Sequence, residues 1–128
     1  MARINYRKKW DWEYELNEKV IYQYKPSRAR KAKKFKWNAQ HAYFEITSSE
    51  ITVNEGYSWD GLTGWTDAEV TMRASLIHDV LYQAIEEGLL DRSRDRKLAD
   101  LIFRDILMED GTRRRWAKML YKFVRWLG

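Results

Sequence analysis

Three apolar stripes between residues 71 and 127, each repeating at three- and four-residue spacing, constrain this chain more than any other feature. At ~100° per residue, such spacing places the apolar side chains on one face of an α-helix. Ala74, Ile77, Leu81, Ala84 and Ile85 make the first stripe. Leu98, Ala99, Ile102, Phe103, Ile106 and Leu107 make the second, and Trp116, Met119, Leu120, Phe123, Val124 and Leu127 the third. The punctuation agrees with three helices. Asp67 or Thr71 caps the first, which runs to about Glu87 and is ended by Gly88. Asp91 or Ser93 starts the second, which runs to about Met108, and Asp110-Gly111 turns the chain into a third capped by Thr112. A helix with an apolar stripe must bury it against another layer.

That layer is expected from the first half. Tyr14-Glu15-Leu16 and Val20 to Tyr24 are short, aromatic and β-branched, with Asn17-Glu18-Lys19 as a turn between them. Pro26 stops the pattern. Ala42 to Ile46 and Ile51-Thr52-Val53 read as two more strands. Residues 54–68 hold three of the 6 glycines (Gly56, Gly61 and Gly64) and read as a loop. The predicted fold class is α+β: a small N-terminal antiparallel sheet over 1–53, a Gly-rich loop over 54–68, and three helices over 69–128. A length of 128 residues suits a single domain, and 7 Trp, 8 Tyr and 4 Phe supply the bulk to close one core.

Composition then removes whole classes of function. No cysteine is present, which excludes a disulfide scaffold, a thiolate metal site and a cysteine nucleophile, and favours a reducing compartment. No stretch approaches the ~20 apolar residues that span a bilayer. The first twelve residues lack the apolar core of a signal peptide, so the host cytoplasm or a virion is the expected location. The net charge of +5 is uneven. Residues 1–50 carry 12 basic and 6 acidic side chains, and residues 51–128 carry 12 and 13. The excess lies in the run 25–36, read as a loop, where Arg28, Arg30, Lys31, Lys33, Lys34 and Lys36 are flanked by Tyr24, Phe35 and Trp37. Basic residues interleaved with aromatics suit a nucleic-acid backbone or another anionic surface; a solvated loop is the plainer alternative. The basic residues of the third helix read most simply as its charged outer face, and His41 as a surface residue.

One constellation carries chemistry. His78 borders the apolar face of the first helix beside Tyr82 and Ile85, and Asp79 points ~100° away. On the second helix Asp100 sits at the edge of the apolar arc, where a carboxylate is costly unless paired. With a turn near Glu87–Asp91, His78 and Asp100 lie about equally far from it and can face each other across the hairpin. A carboxylate on one imidazole nitrogen fixes the tautomer and leaves the other as a base. The alternative is a structural histidine with Asp100 as its hydrogen-bond partner. The stretch Trp59 to Trp65 adds a second component. Glycines there can turn carbonyls inward, and with Asp79 these oxygens suit Ca²⁺, which polarises an ester carbonyl while His78 activates water. The plainer alternative is a turn shaped by Gly61 and Gly64, with Trp59 and Trp65 in the core.

The order Gly56 to Gly61, Met72 to Gln83 (with His78-Asp79 and Tyr82), Arg96 to Phe103 (with Asp100) and Tyr121 to Gly128 resembles a family of tailed phages and prophages, domain-of-unknown-function family 1353. The resemblance covers about residues 50–128 and implies a phage setting without a defined chemistry. A Gly-rich loop, a helix with adjacent His-Asp and a following Tyr, and a second helix with an Asp also resemble the phospholipase A2 plan, its small prokaryotic branch in particular. That resemblance implies a catalytic set of His78 as general base with Asp100 and Tyr82, and Asp79 as calcium ligand with carbonyls around Trp59, Gly61 and Thr63. The chain departs from that plan in having no disulfides and no cysteine-glycine loop.

Three function classes follow. One is a calcium-dependent esterase of phospholipid-like substrates with His78 as base. The second is a non-catalytic virion or assembly component whose basic surface meets other subunits or nucleic acid. The third is a host-takeover protein that binds a host partner or a small anionic ligand.

Overall fold

A computed structural model of the protein describes residues 3–10, 13–60 and 69–127. Seven strands and four helices lie among these residues: β1 (Tyr6–Trp10), β2 (Glu13–Leu16), β3 (Val20–Gln23), α1 (Pro26–Lys34), β4 (Ala39–Gln40), β5 (Phe44–Ile46), β6 (Glu50–Val53), β7 (Ser58–Asp60), α2 (Glu69–Glu86), α3 (Arg92–Glu109) and α4 (Arg114–Leu127). The class is α+β, as expected, but the β part is two antiparallel sheets and the helices number four. One sheet has the order β1-β2-β7 and the other β3-β6-β5-β4.

The expected neighbours β2 and β3 belong to different sheets. Both edges of β2 are occupied, by β1 (Tyr6 opposite Leu16) and by β7 (Tyr14 opposite Trp59). Beyond the ladder, Leu16 donates to the Tyr57 carbonyl and accepts from the Gly56 amide. No edge remains for β3, which pairs instead with β6, Val20 opposite Val53 and Tyr22 opposite Ile51. These four side chains are buried while Ile21 and Gln23 point outward, the period-two pattern of a sheet with one covered face. The segment 54–68, expected as loop, contains β7. Gly56 makes the turn before it at φ +92°, a conformation glycine adopts without strain.

The basic run 25–36 is also not a loop. Pro26 opens α1 rather than breaking structure, because the first helical position needs no amide donor. Ala32 is fully buried, and Lys31, Lys33 and Lys34 crowd the last turn, where positive charge complements the helix dipole. Arg28 anchors the helix to α3 through a two-bond pair with Asp105, at 2.7 and 3.2 Å.

The three expected helices are present. Asp91 caps α3 by accepting from the Arg94 amide at 2.9 Å. Gly88 (φ +76°) and Gly111 (φ +101°) follow α2 and α3 in the left-handed region. Thr71 lies inside α2 and is buried, while Asp67 falls outside the described residues. Thr112 does not cap α4: its hydroxyl is buried without a partner among the described residues, and its amide donates to the Leu107 carbonyl. Buried apolar side chains of both sheets and all four helices form one cluster, in which Phe44, Ile51, Leu76, Ile77, Ile102 and Phe103 are almost wholly enclosed.

Candidate functional site

The α2–α3 hairpin places His78 and Asp100 against each other. His78 Nε2 lies 2.8 Å from Asp100 Oδ1, and the carboxylate is fully buried. Tyr82, one turn along α2 from His78, donates its hydroxyl to the same oxygen at 2.6 Å. Its ring centroid is 4.1 Å from that of His78, and Phe103 closes the other side at 4.8 Å. The second oxygen, Oδ2, accepts from Arg125 Nη1 at 3.0 Å. Arg125 comes from the last turn of α4, so three helices supply the four groups.

These contacts determine the charge. Burial opposes the ionised form of Asp100, but hydrogen bonds from His78, Tyr82 and Arg125 outweigh it and hold the carboxyl below the usual carboxylate range. Burial and the bond to Asp100 push the Tyr82 hydroxyl up to about 12, so it stays a donor. Asp100 as an anion can only accept, so the His78 nitrogen that faces it, Nε2, carries a proton. Among the described residues Nδ1 has no hydrogen-bond partner, and 9% of the side-chain surface remains open. The arrangement can hold one imidazole tautomer and stabilise a developing imidazolium.

Asp79 faces a different partner set, as adjacent helical positions require. Its Oδ2 accepts the Asp60 amide at 3.1 Å. Two further bonds join the β7 segment to α2: the Trp59 indole donates to Ser75 Oγ at 3.0 Å and the Tyr57 hydroxyl to Gln83 at 2.8 Å. Between these elements lies a cleft of about 590 Å³ into which Glu13, Asp60, Asp79, Glu86 and Glu87 present carboxylates, with Trp59 and Tyr82 as aromatic walls. His78 does not line this cleft. Burial, with the neighbouring Asp60 and Glu86 charges, raises Asp79 to about 7 despite the Asp60 amide.

The expected calcium ligands are only partly brought together. Gly61 and Thr63 lie outside the described residues. Trp59 enters through its buried side chain and belongs to the β ladder. Among the described residues no group of three His, Cys, Asp or Glu side chains forms a metal cluster. The donor chemistry at Asp79 nevertheless fits a hard divalent cation. Among the described residues its carboxylate accepts only the Asp60 amide, stands near the Asp60 and Glu86 charges, and loses ionisation to burial, a loss that a cation would reverse.

Of the basic surface, Arg28 is committed to Asp105 and half-buried. Arg30, Lys31, Lys33, Lys34 and Lys36 are exposed. His41 is not a simple surface residue: its ring stacks on Phe44 at 4.3 Å, Nδ1 accepts the Tyr43 amide, and Nε2 lies 3.5 Å from Glu87. Sequence reasoning missed Arg125, which periodicity on α4 assigns only to the polar face. It also missed the Arg73–Asp110 pair at 2.9 and 3.0 Å, which ties α2 to the end of α3.

A family model described as "Protein of unknown function (DUF1353)" matches residues 35–124. The chain belongs to this family. The DUF1353 match takes in His78, Asp79, Tyr82 and Asp100, and it reaches back through β4, β5 and β6 to the end of the α1 segment, further than the resemblance read from residues 50–128. It stops one residue short of Arg125. No curated protein and no solved structure matches the chain.

Proposed function

We propose that this DUF1353 protein is a phage-encoded hydrolase of phospholipid-like esters that uses His78 as its general base. The observation that carries this reading is the grip of Asp100 on His78 Nε2 at 2.8 Å, with Nδ1 left unpartnered among the described residues. In the proposed reaction Nδ1 takes a proton from water as the water oxygen bonds to the ester carbonyl carbon. Asp100 stabilises the imidazolium so formed, and Tyr82 and Arg125 keep Asp100 ionised and oriented. Collapse of the tetrahedral adduct breaks the ester C–O bond, and the proton on Nδ1 passes to the departing alkoxide. Asp79 and Asp60 are the residues that would hold a divalent cation such as calcium. A cation bound there would polarise an ester carbonyl and offset the negative charge of the cleft.

The lipid-like substrate class is supported by α4. Trp116, Met119, Trp126 and Leu127 are exposed along one side of it, and Trp126 retains 81% of its surface. Arg114, Arg115, Lys118 and Lys122 are close by on the same helix, a composition that suits an anionic interface.

A second reading, a non-catalytic virion or assembly component, is favoured by one observation: His78 does not line the cleft that holds Asp79. One experiment separates the two. Hydrolysis of phospholipid vesicles and of a soluble fluorogenic ester is followed with calcium and with chelator, for wild type and His78→Gln. The hydrolase predicts turnover that falls by ~10²–10⁴ in His78→Gln at a temperature where the variant is still fully folded, as its own melt shows. No turnover by the folded wild type on either substrate removes the reading and leaves the assembly role.

A further inference from the structure

A second cleft, of about 540 Å³, lies between the first turn of α3 and the last turn of α4. Its lining is Asp91, Arg92, Ser93, Arg96, Lys97 and Arg125. The spacing of 92, 93, 96 and 97 places these four side chains on one face of α3. Four cations therefore converge with one carboxylate, and that carboxylate already accepts the Arg94 amide and the Ser93 hydroxyl, each at 2.9 Å. Among the described residues neither Arg96 nor Lys97 forms an ion pair. The amino-terminal end of an 18-residue helix adds to the positive potential.

Two of these cations reach the buried network. Arg125 bonds Asp100 Oδ2 at 3.0 Å through Nη1. Arg96 donates through Nη2 to the Arg125 carbonyl and through Nε to the Tyr82 hydroxyl at 3.3 Å. The guanidinium forks keep further donors for a tetrahedral oxyanion, whose bidentate recognition is what arginine does best.

We propose that the α3–α4 cleft is a recognition site for a phosphate group, held by Arg96, Lys97 and Arg125, and that Arg125 couples its occupancy to Asp100 and His78. The ligand chemistry is a phosphate monoester or inorganic phosphate, and a lipid headgroup presents the same group. Binding relieves the repulsion among the cations, and an anion on Arg125 alters the field that Asp100 feels. The coupling is reciprocal, so any change at Asp100 also changes phosphate affinity. The site stands or falls independently of hydrolysis, because its readout is binding.

The test uses the full chain. Inorganic phosphate, glycerol phosphate and chloride at matched ionic strength are titrated by calorimetry, and phosphatidic acid is presented in phosphatidylcholine vesicles against phosphatidylcholine alone. The His78 ring is followed by ¹H–¹⁵N correlation. The expected result is saturable phosphate binding, about tenfold weaker in Lys97→Glu, with His78 ring shifts that saturate at the same concentration. Binding by both soluble phosphates assigns the free group as ligand, whereas binding confined to phosphatidic acid vesicles assigns the headgroup. Equal affinity in wild type and Lys97→Glu, or a response to chloride as large as that to phosphate, overturns the site. Saturable binding that leaves the His78 ring unmoved overturns the coupling. Lys97 is exposed, so its replacement leaves the fold intact, and Arg96→Gln serves as the second variant.

Discussion

Asp79→Asn tests how burial in the acidic cleft controls a carboxyl group. The carboxyl moves from an ordinary value of 3.8 to about 7 because burial and two neighbouring carboxylates oppose its charge. The folded chain therefore binds this proton more tightly than the unfolded chain. The resulting stability is fully present below pH 3.8 and is lost as pH rises through about 7. A tenfold change in proton affinity is worth 1.36 kcal/mol, so without solvent screening the loss between pH 5 and pH 8 is about 2.6 kcal/mol. Asp79 is only part-buried at the cleft wall, and solvent screening reduces the realised effect to about 1.3 kcal/mol. For a domain of this size that is roughly 5 °C in melting temperature. Asparagine keeps an acceptor for the Asp60 amide and removes the titration. The assay is thermal unfolding of both proteins at pH 5, 6, 7 and 8, in which the difference between them cancels every other titrating group. The gap should shift by about 5 °C in favour of Asp79→Asn as pH rises. A gap that stays constant across this range, or moves the other way, refutes the reasoning.

Other perturbations probe the remaining supports. Asp100→Asn strips an anion from three donors and leaves the Arg125 charge without its partner, so about 3–5 kcal/mol of stability should vanish in denaturant unfolding. Asp105→Ala removes both bonds that hold Arg28. It should cost about 1–3 kcal/mol, and amide exchange should accelerate in α1 before it does in α2. Trp59→Phe keeps an aromatic ring but removes the buried bond to Ser75 and part of the buried volume, an expected loss of about 1–3 kcal/mol by chemical denaturation. Gly88→Ala meets no steric neighbour yet forces an alanine to φ +76°, so a melt should register about 1 kcal/mol of pure backbone strain.

Half of the site is legible in the sequence. His78 and Asp100 can be placed together because two amphipathic helices joined by a short turn bring residues equidistant from the turn side by side, whereas Tyr82 joins them only through the phospholipase A2 resemblance. Arg125 was not legible. It arrives from α4, and helical periodicity says which face of α4 is polar without saying which neighbour that face meets. The acidic cleft escaped notice for the same reason, since Glu13, Asp60 and Glu86 are far apart in the chain and meet only where β2 and β7 cross α2. The α1 misreading has a local cause: a proline preceded by strand-like residues fits either a break or a helix start, and only the burial of Ala32 against the core selects the second.

Local chemistry alone thus determined the α+β class, the extents of α2, α3 and α4 to within a few residues, and the pairing of His78 with Asp100. Those features depend on side-chain period, turn residues and one short connection, all of which act within about twenty residues. Tertiary packing decided the division of the strands into two sheets, the helical state of the basic run, the third grip on Asp100, and the assembly of one acidic and one basic cleft. Each of those rests on competition between distant segments for the same edge or the same buried charge. A linear pattern does not record which competitor wins.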